Sequence, residues 1–218
     1  MKIRLNQKYL FSNYKCEAYL INFESFDFKK DKMFLHEEIN EKIKLTENIK
    51  LESFEPLIAT SLFEDISGKF NKEIEIDEFY LLDGHHRWDY ATSSNQTNKL
   101  KCIFVNYKDV KIESYNFEIN TKNRLFESCL EENGFQKVND FNNSIRFKEQ
   151  NYSSKLYANK FSLYEFKRKI QKNKFIIPVG DKNVPNEKIV NFTPIDLIDL
   201  TTLEKLLPPK STWITPRI

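Results

Sequence analysis

Glycine is nearly absent: four residues in a chain of 218, at positions 68, 84, 134 and 180. With so few, each marks a turn or a helix end, where the chain needs a backbone that side chains resist. Cysteine is scarcer still. Cys16, Cys102 and Cys129 are odd in number, far apart and without a C-x-x-C pair, which excludes a disulfide framework and a cysteine-built zinc site. A reducing, cytoplasmic setting is expected. No apolar run approaches the roughly 18 residues that a membrane span requires, and the polar start MKIRLNQ lacks the apolar core of an export signal. A surplus of one charge is missing too: 34 basic residues stand against 32 acidic ones, a net +2. Duplex DNA binders carry a clear basic excess, so nucleic acid is not an expected partner.

Apolar residues, by contrast, are plentiful. They make up 40% of the chain, with 19 Phe and 10 Tyr, enough for a buried core and against global disorder. Strands are expected at 17–23, 45–51, 75–82 and 100–106. A helix is expected from Pro56 to Gly68 on the spacing of Ile58, Leu62, Phe63 and Ile66, and a short one after residue 84. Further on, the pattern predicts a helix over 121–133 ended by Gly134, strands at 144–148 and 155–161, a basic helix over 162–173, and a helix over 195–207. The run Lys167-Arg168-Lys169 reads as a solvated face.

The densest chemical signal is Asp83-Gly84-His85-His86-Arg87, between a predicted strand and a predicted helix. Gly84 permits a sharp turn. Backbone N–H groups at a helix start, with His and Arg beside them, form an anion pocket. Asp83 is a candidate Mg²⁺ ligand; the blander alternative makes it a helix cap beside solvated neighbours. Near the C-terminus, Pro208-Pro209-Lys210-Ser211-Thr212 collects a cation and two hydroxyls behind two stiffening prolines, which suits a phosphate or substrate clamp. Trp213 is expected to pack that segment onto the core.

These strings carry a resemblance. LLDGHHRWDYA resembles the DGHHR signature of the ParB/sulfiredoxin superfamily, shared by its free serine kinases. Glu52-Ser53-Phe54-Glu55-Pro56-Leu57 resembles the kinase segment that bears the general base, and residues 208–212 resemble the P-P-K-[ST]-T segment that closes the active site. The resemblance covers 45–107 and 205–217. It implies an α+β fold, with a ParB/sulfiredoxin-like small sheet and flanking helices over 1–107 and a second, mainly helical lobe over 108–218. It also implies a cleft between them to which the PPKST segment returns.

The implied activity is transfer of a phosphoryl group from ATP, ADP or CTP, with Mg²⁺, to the hydroxyl of free L-serine or a related small alcohol. Glu52, Asp83 and His85 would be catalytic, with Glu52 as general base and Asp83 holding the metal. Gly84, His85, His86, Arg87, Lys210, Ser211 and Thr212 would bind the nucleotide phosphates. Glu38, in the His36-Glu37-Glu38 run, ranks below Glu52 as a base. The alternative is a ParB-like nucleotide-binding regulatory or DNA-associated module without kinase activity, although no helix-turn-helix segment follows the motif. A sulfiredoxin-like reaction needs a cysteine beside the motif histidine, and the nearest is Cys102.

Overall fold

The computed structural model describes residues 1–39, 55–179, 184–196, 199 and 205–217. The chain is a mixed α+β protein of two compact units: residues 1–111 with 214–218, and residues 112–213.

The first unit is built on five strands: β2 (Ala18–Asn22), β3 (Lys32–Phe34), β4 (Leu57–Thr60), β6 (Glu78–Asp83) and β7 (Lys101–Val105). Their order is β2-β7-β4-β6-β3. All four residues of β4, Leu-Ile-Ala-Thr, are buried, as expected for a short apolar run at the centre of a sheet. A separate antiparallel pair joins β1 (Lys2–Arg4) to β5 (Glu73–Glu75), with Ile3 opposite Ile74. Helix α1 spans His85–Ser93 and buries Trp88 and Ala91. Trp88 packs edge-on against Phe23 and Phe26, with ring centroids 5.8 and 5.3 Å away.

The expected helix after Pro56 is instead β4 followed by turns. Ile58 is fully buried between two strands while Phe63 is 74% exposed, so the helical spacing of these residues was accidental. The expected strand 75–82 is divided at Ile76-Asp77 into β5 and β6. The strand 45–51 and Glu52 lie outside the described residues, and so does most of the expected helix 195–207.

The second unit is sheet-based, which corrects the expectation of a mainly helical lobe. Six strands, β9 (Phe117–Ile119), β10 (Phe135–Val138), β11 (Ser144–Phe147), β12 (Gln150–Ser154), β13 (Ile176–Pro178) and β14 (Ile189–Phe192), run in the order β10-β12-β11-β14-β9-β13. Every pairing is antiparallel. β11 coincides with the strand expected at 144–148; the others offer only one or two alternations each, too few for a period-2 pattern to stand out. The segment 155–161 holds a single helical turn and the start of α3 rather than a strand. Strands β8 (Lys111–Ser114) and β15 (Thr212–Thr215) lie where the chain passes from one unit to the other.

Two helices complete this unit. In α2 (Asn123–Glu132), Phe126 and Leu130 are buried one turn apart, while Leu125 is 55% exposed rather than on the buried face. Gly134 follows at φ 72°, the left-handed conformation that ends many helices. In α3 (Lys160–Lys172), the Asn159 side chain accepts from Ser162 N–H while the Ser162 hydroxyl bonds back, a reciprocal cap at the helix start. Leu163, Phe166, Lys167 and Ile170 then form the buried stripe.

Candidate active site at the β6–α1 turn

The turn from β6 into α1 is shaped by three local facts. First, β6 carries an extra residue against β4: Ile58 faces Asp83 while Ala59 faces Leu81, so Leu82 bulges and the end of the strand is re-aimed. Second, Gly84 caps α1 at φ 98° and ψ 23°. A Cβ there would stand 2.5 Å from Leu57 Cδ2 and 3.1 Å from the Arg87 guanidinium, so glycine is required on steric and conformational grounds. Third, a glycine cap has no side chain with which to satisfy the first N–H groups of the helix, whereas Ser, Thr, Asp or Asn would. The cap residue itself therefore offers no acceptor to the helix start, whose positive dipole end favours an anion.

The side chains around this turn are ordered by the sheet. Asp83 Oδ1 accepts from Gly84 N–H at 2.9 Å, and Oδ2 lies 3.5 Å from Arg87 Nη2. Arg87 Nη1 donates to the Glu55 carbonyl and, at 3.0 Å, to that of Pro56. One guanidinium thus ties α1 to the segment entering β4. Sequence reasoning did not assign His36 to the site. It is 5% exposed, its Nδ1 lies 3.0 Å from the Leu81 carbonyl oxygen, and its ring meets that of His85 edge-on at 4.7 Å. Burial holds the His36 pKa below its ordinary value, against weaker upward pulls from Glu37, the Leu81 carbonyl and Asp83. Neutral His36 donates Nδ1–H to that carbonyl. The available signal was that the chain has three histidines and this is the one outside the motif.

The first unit therefore brings together Asp83, Gly84, His85, His86 and Arg87, and adds His36. Asp83 is part-exposed, which fits a carboxylate that would share a divalent cation carried mostly by phosphate oxygens. Among the described residues, no group of three or more His, Cys, Asp or Glu side chains forms a metal cage. Cys102 is fully buried in β7, and burial pushes its thiol pKa far up, unlike a reactive cysteine.

Lys210, Ser211 and Thr212 belong to the second unit. Lys210 is exposed at φ 61°, with its Nζ 5.7 Å from the centre of the Tyr115 ring. Ser211 is 1% exposed. Its hydroxyl donates to the Pro208 carbonyl and accepts from Lys167 Nζ at 2.9 Å. Lys167 is fully buried, contrary to the solvated face expected for its run. It also donates to the Pro209 carbonyl at 3.2 Å and lies 4.7 Å from the centre of the Phe117 ring. The physical reason is position: residue 167 falls on the Leu163-Phe166-Ile170 stripe, and the Pro209 carbonyl and Ser211 hydroxyl receive its ammonium. Thr212 is buried at 7%, and Trp213 packs against Tyr115 with ring centroids 5.3 Å apart.

Comparison with known proteins supplies a fold. No family model and no curated sequence matches the chain. Among solved structures, it is similar to SbnI with a C-terminal truncation from Staphylococcus aureus, at 12% identity and a TM-score of 0.59, over 92% of this chain and 84% of that one. It is also similar to a free serine kinase in complex with AMP, at 14% identity and a TM-score of 0.51, over 95% and 91% of the two chains. A variant of a free serine kinase in complex with ADP aligns at 13% identity and a TM-score of 0.50, over 97% and 90%.

Proposed function

Starting from the free serine kinase fold, we propose that this protein is a small-molecule kinase. It transfers a phosphoryl group from a nucleotide to the hydroxyl of free L-serine or a related small alcohol. The observation that carries the reading is the uncapped, glycine-hinged start of α1, flanked by Asp83, His85, His86 and Arg87. The nucleotide-bound kinases of the same fold support it.

In this reading the N–H groups of the α1 start and the His86 and Arg87 side chains receive phosphate oxygens, and Lys210 adds a second cation. Ser211 and Thr212 hold the Lys210 segment in shape. Glu52 takes the proton from the acceptor hydroxyl as the new O–P bond forms and the bond to the leaving nucleotide breaks. His85 and Arg87 stabilise charge on the phosphoryl group in flight, where phosphotransfer enzymes gain most of their rate. Asp83 would hold Mg²⁺, whose contribution when bound is to neutralise charge on the phosphate oxygens.

The test is phosphorus NMR of the purified protein with Mg²⁺, L-serine and ATP, ADP or CTP in parallel. O-phosphoserine is expected with at least one donor and is expected to vanish in Glu52→Ala and Asp83→Ala. Absence of any phosphorylated alcohol, with L-threonine and L-homoserine also tried, refutes the kinase reading. Product formation undiminished in Glu52→Ala removes Glu52 from its role.

A further inference from the structure

The second unit contains a cavity of about 400 Å³ that the kinase reading does not use. Its wall includes Glu113, Asn116, Phe141, Arg146, Asn191 and Trp213. Its floor follows from strand register. In β11, Ile145 and Phe147 are fully buried, so Arg146 between them points to the opposite face of the sheet. Its lateral partners are Asn151 in β12 and Asn191 in β14. Asn191 Nδ2 in turn donates to Asn116 Oδ1 at 2.5 Å. Four polar side chains thus run in one row across four neighbouring chain segments.

This row is more than a solvated sheet face. The Arg146 guanidinium is fixed on two sides: Nε donates to Asn151 Oδ1 at 3.1 Å, and its carbon lies 4.2 Å from the centre of the Phe141 ring. Neither contact uses the two terminal amino groups, which have no partner among the described residues. An immobilised guanidinium with its fork open is the arrangement that receives a carboxylate in bidentate fashion. Across the same cavity, the Glu113 carboxylate has no ion pair among the described residues. One fixed positive group, one available negative group and two aromatic walls, Phe141 and Trp213, surround a space of ligand size.

We propose that this cavity binds a free α-amino acid, its carboxylate received by the Arg146 fork and its ammonium by Glu113. The Asn191 side-chain oxygen, which no described donor occupies, accepts from a side-chain hydroxyl. The inference goes beyond the kinase reading and stands without it, because binding needs neither nucleotide nor turnover.

The experiment is calorimetric titration of the full chain, without nucleotide, with L-serine, L-threonine, L-homoserine and L-aspartate, and with propionate and ethanolamine as one-headed controls. At least one amino acid is expected to bind, with a change in Trp213 emission. Arg146→Gln and Glu113→Gln should each weaken that binding about tenfold or more, the loss of one charge-assisted contact. Both positions are exposed, so the variants should keep their circular dichroism. Binding should persist in Asp83→Asn. The proposal fails if no amino acid binds, if either charge-removing variant binds normally, if propionate alone binds as tightly, or if Asp83→Asn abolishes binding.

Discussion

Two stretches of this chain look alike on paper, and their environments make them different. Asp83–Arg87 and Lys210–Thr212 both gather cations and hydrogen-bonding groups beside a backbone constraint. At the first, Gly84 leaves the start of α1 without a capping side chain of its own, at the positive end of the helix dipole. At the second, the Ser211 hydroxyl is already engaged by Pro208 and Lys167, and only Lys210 projects from the surface. Polar groups become a site when packing leaves them something to do; the same groups become a brace when packing satisfies them.

The largest effect should come from Gly84→Ala. It places a Cβ 2.5 Å from Leu57 at a backbone angle that alanine resists. Left-handed strain of roughly 1–2 kcal/mol adds to roughly 1–3 kcal/mol of overpacking. A thermal melt should show the destabilisation, and a titration with ADP should show nucleotide binding largely lost. An alanine variant that melts and binds like the parent would break the comparison at its first term.

Next is the contrast within the second stretch. Lys167→Met keeps the apolar stem but strips Ser211 and Pro209 of their buried donor, at a cost of about 1–3 kcal/mol. Lys210→Ala, on an exposed side chain, should change stability by less than about 0.5 kcal/mol, yet weaken nucleotide binding. Denaturant unfolding of both, beside ADP titration, separates brace from ligand contact. Equal stability losses in the two variants would erase the distinction.

A smaller effect concerns pH. The folded pKa of His36 lies below its unfolded value, so the unfolded state binds the proton first. The stabilising contribution is therefore complete above roughly pH 6.5 and declines as pH falls toward the folded pKa, by at most about 1.4 kcal/mol per pH unit. Melts between pH 5 and 8 in chelator should show this slope, and His36→Asn should flatten it. Smallest of all, the thiols should resist alkylation in the native protein near pH 8. Burial, helped by Asp109, pushes Cys16 up to about 11, and Cys102 is shielded in β7. Rapid native labelling of Cys102 would reopen a cysteine-based chemistry.

Local signals were read well wherever one element's own residues decide its form. The β2 and β7 strands, α1 after the glycine, α2 before Gly134 and α3 all follow from short-range periodicity and turn chemistry. The reading failed where partners are distant. Residues 56–66 mimic a helical spacing, but β4 is claimed on both sides by β6 and β7. In the second unit β11 matches the expected 144–148, whereas the other strands were hidden because each is only three to five residues long.

By itself, then, the sequence determined where the glycine turn between β6 and α1 lies. A glycine cap, an acid before it and His-His-Arg after it need only a few consecutive residues, and their geometry is local. Tertiary structure alone decided that Lys167 is buried, that His36 meets His85 across 49 positions, and that Arg146 lines up with Asn191. Each depends on which distant segments pair and in what register. A shift of one residue in that register would send the same side chains to the other face of the sheet.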